Sequence, residues 1–242
     1  MKTAIIIGAS TGIGRETALA LSGTFDQIAI TSYRHPEELE ELRLVLEERG
    51  TRCFSMCGDA GDFEFMETFI KRVYQVFGGR IDLLINNAGI SYVGLLTDMS
   101  AEEFDRLMKT NVYSVYNSCR LVVPAMVSAK CGCIINVSSV WGVTGASCEV
   151  AYSASKGAIN SFTKALGKEL APSGISVNAI AFGAIDTPMN DHLTNEEKQE
   201  LAYEIPAGRM ASPKEAAQFI LKISECNPYL NGQVITYDGA WI

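Results

Sequence analysis

The sequence predicts an α/β fold: a single domain built on a doubly wound, seven-stranded parallel sheet with helices on both faces. Three observations predict it. Short β-branched apolar runs alternate with longer amphipathic stretches along all 242 residues, the pattern of parallel strands buried on both faces and joined by helices. A glycine-rich turn, "GASTGIG" (8–14), follows the first run directly and opens the first helical stretch. No internal repeat, low-complexity tract or Pro/Ser-rich linker marks a boundary, so residues 1–242 read as one domain, at a length ordinary for one α/β unit.

Taken in order, the strands are "TAIII" (3–7), "QIAIT" (27–31), "RCFSM" (52–56), "IDLLI" (81–85), "CIINV" (133–137), "ISVNAIA" (175–181) and "GQVIT" (232–236). The first runs straight into the glycine turn, without the longer apolar region and small-residue cleavage site of a secretory leader. Helix starts carry their punctuation: Ser100 with Glu103 makes a capping box, and Ser212 offers an N-cap with Pro213 at the first helical position. The stretch "NVYSVYNSCRLVVPAM" (111–126) suits a helix buried on more than one side, within one subunit or between subunits. Between the last two strands, residues 184–212 carry the polar run "NDHLTNEEKQE" (190–200), either a solvated helix or a substrate lid.

Composition excludes several classes. No apolar run approaches the ~20 residues that span a bilayer, so no membrane insertion is expected. A formal charge of −8 argues against a nucleic-acid partner and, more weakly, against an acidic protein partner. The seven cysteines are odd in number and only two histidines could join them, so reduced thiols of a cytoplasmic protein are expected, and no metal site.

Two motifs carry chemistry. Gly8, Gly12 and Gly14 stand where a strand turns into a helix, so backbone N–H groups can approach a pyrophosphate at the positive helix end. In "ASCEVAYSASKGA" (146–158), Tyr152 and Lys156 are four residues apart on one helical face. There the Lys charge is expected to hold the phenol nearer ionisation than its usual pKa of about 10.

The spacing G-x-x-x-G-x-G, followed by "NNAG" (86–89), Asn111, Ser139 and the Tyr152/Lys156 pair, resembles the short-chain dehydrogenase/reductase family from residue 3 to the end. The resemblance implies a Rossmann-type domain that transfers hydride between a nicotinamide cofactor and a carbonyl or alcohol. It makes Tyr152 the proton donor, Lys156 its charge partner and holder of the nicotinamide ribose, and Ser139 the second donor to the substrate oxygen. Asn111 kinks its helix and positions a water that links Lys156 to solvent. The phosphates go to Gly8, Ser10, Thr11, Gly12, Ile13 and Gly14, and the adenine amino group to Asp59 beside Ala60. Asn87, Ala88 and Gly89 line the ribose side, with Gly183, Ile185 and Thr187 at the carboxamide. Phe182 stands where the family has Pro, so that turn is expected to be looser. The small residues of "SASKGA" are expected to keep the helix low beneath the nicotinamide. No carboxylate closes the second strand in "TSYRHPEE" (31–38), and Arg34 lies where a 2′-phosphate would sit, favouring NADP(H) over NAD(H); otherwise Arg34 is a solvated surface residue.

Across its length the chain is similar to the 3-oxoacyl carrier-protein reductases of fatty-acid synthesis, down to "NGQVITYDGAWI" (231–242). Those enzymes hold an acidic carrier with two basic positions; here these are Lys130 and Ser173, which weakens the match. The string "SSVWGVTGASCEVAYSASKG" (138–157) also resembles the elongation factor P 5-aminopentanone reductases, whose ketone ends in an amine. Glu149, three residues before Tyr152, is then either an amine contact or a helix-end carboxylate complementing the dipole. Trp141 is expected as a pocket wall, the alternative being a core residue. A dinucleotide-binding sensor without turnover is disfavoured because Tyr and Lys are both present. The resemblance further implies a homotetramer built from the helices around 101–127 and 151–171 and the C-terminal strand.

Overall fold

The computed structural model describes residues 1–191 and 193–242. All seven expected strands form, each within two residues of its apolar run: β1 (Thr3–Ile7), β2 (Gln27–Ser32), β3 (Arg52–Cys57), β4 (Leu83–Asn86), β5 (Gly132–Ser139), β6 (Ile175–Phe182) and β7 (Val234–Tyr237). They pair in parallel in the order β3-β2-β1-β4-β5-β6-β7. The chain winds outward from β1, then returns to β4 and winds the other way, so the connections diverge between β1 and β4 and leave a crevice at their carboxyl ends.

The helices are α1 (Gly12–Leu21), α2 (Pro36–Glu48), α3 (Phe63–Phe77), α4 (Ala101–Met108), α5 (Ser114–Ala129), α6 (Trp141–Thr144), α7 (Val150–Leu170), α8 (Asn195–Glu204) and α9 (Pro213–Ser224). Strand alternation sorts the core into two layers. Ile5, Ile7 and Leu84 pack beneath α3, α5 and α7, whereas Ala4, Ile6 and Ile85 pack beneath α1, α2 and α9. Under the site a buried polar chain ties the two halves: Ser118 Oγ donates to Asn86 Oδ1 at 2.6 Å, Asn86 Nδ2 to Asn136 Oδ1 at 2.8 Å, and Asn136 Nδ2 to Thr163 Oγ1 at 2.9 Å.

Both expected helix starts form as capping boxes, Ser100 with Glu103 and Ser212 with Glu215; Thr194 with Glu197 adds a third that opens α8. That helix buries none of its residues, so most of the polar run 190–200 is solvated, and Lys198 ties it to Asp186 (3.6 Å) and Asp191 (3.8 Å). His192, within the run and within the proposed lid 184–212, lies outside the described residues. Between α4 and α5 the backbone forms a π-helical turn, Lys109–Tyr113. Among the described residues no helix is long and apolar enough to cross a membrane, and no cluster of His, Cys, Asp or Glu is disposed to hold a metal. Burial pushes the thiols of Cys53 and Cys119 up to about 12 and that of Cys133 to about 11, so these three stay protonated at neutral pH.

Candidate active site

The turn after β1 admits only glycine at two points. Gly8 has φ +84°, and a Cβ there would stand 2.7 Å from Ala88 Cα. A Cβ on Gly14 would collide with the Gly8 carbonyl and the Asn87 amide, which itself donates to that carbonyl. Gly8 and Ala9 N–H both donate to Thr31 O at 2.9 Å, fixing the turn against β2. Thr11 occupies the N-cap of α1 without a side-chain capping bond, and the first turn holds no acidic residue. The N-terminus of α1, where Gly12 and Ile13 stand, is thus left for an anion at its positive end, unlike the boxed starts of α4, α8 and α9. Across the crevice, Thr187 Cγ2 would stand 3.4 Å from a Cβ on Gly12, so the two sides of the expected cofactor site meet. These residues fit a dinucleotide pyrophosphate.

At the far end of the crevice, Ser10 Oγ accepts from Ser32 Oγ at 2.8 Å, and Thr31 Oγ1 is buried without a hydrogen-bond partner. Arg34 is exposed, with its guanidinium 5.3 Å from the centre of the Tyr33 ring. Asp59 accepts from Gly61 N–H at 2.8 Å and pairs with Lys109 at 3.1 Å, and the Ala60 carbonyl accepts from Asn117 Nδ2 at 3.0 Å, so that edge is fixed by protein partners.

The turn after β6 is not loose, contrary to expectation. Phe182 O accepts from Val140 N–H and Gly183 N–H donates to Tyr237 O, each at 3.0 Å, while the Phe182 ring meets Tyr237 edge-on at 5.8 Å. Gly183 faces Asp238 so closely that a Cβ would stand 2.8 Å from the Asp238 Cβ. Ile185 is buried and bridged to Ala211, and its carbonyl accepts from Asn190 Nδ2 at 2.8 Å. An aromatic ring packed into the sheet does here what a Pro would do by restricting the backbone.

The catalytic candidates converge where β5 ends. Ser139 Oγ accepts the Trp141 N–H at 3.2 Å. Tyr152 and Lys156 lie in the first turns of α7, both buried, with the ammonium 5.7 Å from the centre of the phenol ring. Asn111, in the π-helical turn, clamps the Ile90 peptide through both its amide atoms (2.8 and 2.9 Å) and donates to Ser155 Oγ at 3.0 Å. A Cβ on Gly89 would stand 3.4 Å from both Asn111 Oδ1 and Lys156 Nζ, which places these three residues around one point.

The electrostatics reverse one expectation. Burial pushes the Tyr152 phenol up to about 12, the nearby Glu149 charge acts in the same direction, and only a hydrogen bond with Ser139 opposes them. Lys156 is pulled down to about 8 by desolvation, and its ammonium donates to the Val137 carbonyl at 2.9 Å. Tyr152 therefore holds its proton at neutral pH, the state a proton donor needs. The small residues of 153–158 also make contacts within the protein. Ser153 Oγ accepts the Ala146 N–H at 3.1 Å and Ser155 meets Asn111, while α6 sits close on α7 at Gly142, where a Cβ would stand 2.6 Å from the Lys156 carbonyl carbon.

Trp141 is partly buried and packs against the cluster of Leu107, Ala151 and Tyr152. Glu149 is half-buried at the N-cap of α7 and makes no side-chain capping bond. Lys130 caps α5 with a left-handed φ of +55°, and Ser173 lies in the 3-10 turn after α7, with Gly174 beside the Lys130 carbonyl. Both stand at the amino ends of β5 and β6, a full strand, about 25 Å, from Ser139. Sequence reasoning missed Ile90, Tyr92, Met99 and Met108, which complete the apolar cluster around Tyr152, and Trp241, which meets Trp141. The aromatic in the closing "DGAWI" was the available signal for the last.

A nucleotide laid on α1 across this crevice would point its reactive ring at a buried group able to hand over a proton, the working arrangement of a dinucleotide-dependent oxidoreductase. The chain belongs to the short chain dehydrogenase family, whose model matches residues 2–198. It is 39% identical to the oxidoreductase YmfI of Bacillus subtilis, over 99% of this chain and 98% of that one. It is 36% identical to the 3-oxoacyl-[acyl-carrier-protein] reductase FabG of Thermotoga maritima, over 100% and 98%. Among solved structures, an actinorhodin polyketide ketoreductase variant with NADPH superposes with a TM-score of 0.93 at 28% identity, covering 99% of this chain and 97% of that one.

Proposed function

We propose that this protein reduces a ketone to a secondary alcohol with NADPH, in the manner of a 3-oxoacyl-[acyl-carrier-protein] reductase. The observation that carries the reading is the placement of buried Tyr152 beside Ser139 at the end of β5, with Lys156 one turn further along α7. Bound NADPH supplies the hydride to the carbonyl carbon. Tyr152 gives its proton to the carbonyl oxygen. Ser139, whose oxygen already accepts the Trp141 N–H, directs its own proton at the same oxygen. Lys156 stabilises the phenolate left behind, and Asn111, holding the Ile90 peptide beside Lys156, frames the route by which a proton returns from solvent. Arg34, held over Tyr33 at a strand end that lacks a carboxylate, supports NADPH over NADH.

A second reading is favoured by Glu149: a half-buried carboxylate felt by Tyr152 suits a ketone with a distal amine, such as the aminopentanone group on elongation factor P. The assembly proposed is a homotetramer through α4, α5, α7 and the last strand, consistent with the exposure of Phe104 on α4, Tyr113 in the π-helical turn and Tyr116 on α5. The proposed compartment is the cytoplasm, where its free thiols stay reduced.

The test follows NADPH oxidation by the purified protein with acetoacetyl-coenzyme A, beside elongation factor P carrying the 5-aminopentanone group. Turnover of the thioester, abolished by Tyr152→Phe, is expected. Turnover of the modified factor alone installs the second reading, and turnover of neither overturns both.

A further inference from the structure

We propose that the segment 238–242 builds a wall of the ketone pocket and that Trp241 sets the length of ketone the pocket admits. The proposal rests on the reading of the site as a ketone reductase. After β7 the chain folds back on itself: the Asp238 carboxylate accepts from the N–H groups of Ala240 (3.0 Å) and Ile242 (2.9 Å). Gly239 and Ala240 both adopt positive φ, +68° and +66°. For Ala240 that conformation is unfavourable and persists only where the surroundings impose it.

The surroundings do impose it. The Gly239 carbonyl accepts the Ala207 N–H at 3.1 Å, and a Cβ on Gly239 would stand 2.9 Å from both Ala207 and Ile205, so the hook is seated on the chain that follows α8. Asp238 abuts Gly183 on the turn expected to face the nicotinamide. The result of the fold-back is that Trp241 meets Trp141 edge-to-face, at 4.9 Å and 61° between rings. Trp141 in turn packs on Tyr152 and bonds Ser139 through its N–H. Neither tryptophan is fully buried. A rigid, strained hook that carries a large ring to this place acts as a sieve: it limits how far the carbon chain beyond the carbonyl can extend.

The experiment compares acetoacetyl and 3-oxooctanoyl thioesters of N-acetylcysteamine with wild type, Trp241→Ala and Trp241→Phe. Trp241→Ala is expected to raise the kcat/KM ratio of the longer over the shorter ketone by about fivefold or more, through the KM of the longer one. Trp241→Phe should return it to within about twofold of wild type, with the NADPH dissociation constant unchanged throughout. A smaller rise, or a change toward the shorter ketone, overturns the proposal. Binding gives an independent readout, because the chain has only two tryptophans. In Trp141→Phe, whose only indole is Trp241, 3-hydroxyoctanoyl-N-acetylcysteamine with NADP should change the emission; unchanged emission overturns the proposal. Should wild type reduce neither thioester while that emission responds, the ketone-reductase reading fails and the placement of Trp241 at the pocket stands.

Discussion

Asn111 in the π-helical turn and Ser155 on α7 are joined side chain to side chain at 3.0 Å, and Ser155 Oγ in turn donates to the Tyr152 carbonyl at 2.7 Å. The proton donor is thereby held from below by a residue forty-one positions earlier in the chain. Asn111→Ala strands the Ile90 N–H and carbonyl as well, and should cost about 2–3 kcal/mol, against about 1 kcal/mol for Ser155→Ala. Denaturant titration measures both; equal losses would show that the Ile90 clamp contributes nothing.

Removing the phenol oxygen removes the proton and little else. Tyr152→Phe should lower kcat by about 10²–10⁴ while leaving NADPH affinity and Tm near wild type. A Tyr152→Phe enzyme with wild-type turnover would transfer the role to another donor.

Lys156 and Tyr152 give opposite signs with pH, and the buried thiols of Cys53, Cys119 and Cys133 act in the same sense as Tyr152. Lys156 is pulled from 10.5 down to about 8, so between these values the unfolded chain binds the extra proton and stability rises with pH. Tyr152 is pushed from 10.0 up to about 12, so over that interval the folded chain keeps the proton and stability falls. Unfolding measured at about pH 7.5 and 9.5 should show a change that is more favourable to the folded state in the wild type than in Lys156→Met, the thiol and phenol contributions being common to both. Activity should fall as pH rises through about 8, following loss of the Lys156 charge, because Tyr152 is still protonated there.

Gly8→Ala places a methyl against Ala88 at a positive φ and should abolish dinucleotide binding. Gly23 has nothing within 4 Å of its Cβ position, so Gly23→Ala should bind as wild type does. Fluorescence titration with NADPH separates the two, and equal affinities would remove the cradle from the site.

Arg34→Ala should raise the KM for NADPH by about tenfold and leave that for NADH within about twofold, since only one cofactor carries the 2′-phosphate. Parallel shifts for both cofactors would make Arg34 a surface residue.

Legibility in the sequence followed distance along the chain. The strands, the Gly8–Gly14 cradle and the one-turn spacing of Tyr152 and Lys156 depend on neighbours within a few residues, and they read correctly. The direction of Lys156 depends on a Val137 carbonyl nineteen residues away, and the rigidity of the Phe182 turn on Tyr237 fifty-five residues later, which no local pattern encodes. The π-helical turn "KTNVY" carries no Gly, Pro or cap to announce it, and only the family resemblance marked a kink there, at Asn111. The placement of Lys130 was within reach: a residue just before a strand lies at the opposite edge from one that ends it.

The π-helical turn Lys109–Tyr113 also holds one residue more than an α-helical path would need. In genetic terms it is a stored insertion, and loss of a single codon there would let α4 and α5 merge into one regular rod. The second half of that rod would keep its faces, with Tyr116 toward solvent and Val115 and Cys119 in the core, but Asn111 would lose the widened turn from which it clamps Ile90. An in-frame deletion of one residue in this turn should therefore spare the fold and cost the site, so the extra residue persists for the sake of Asn111 and not of the core.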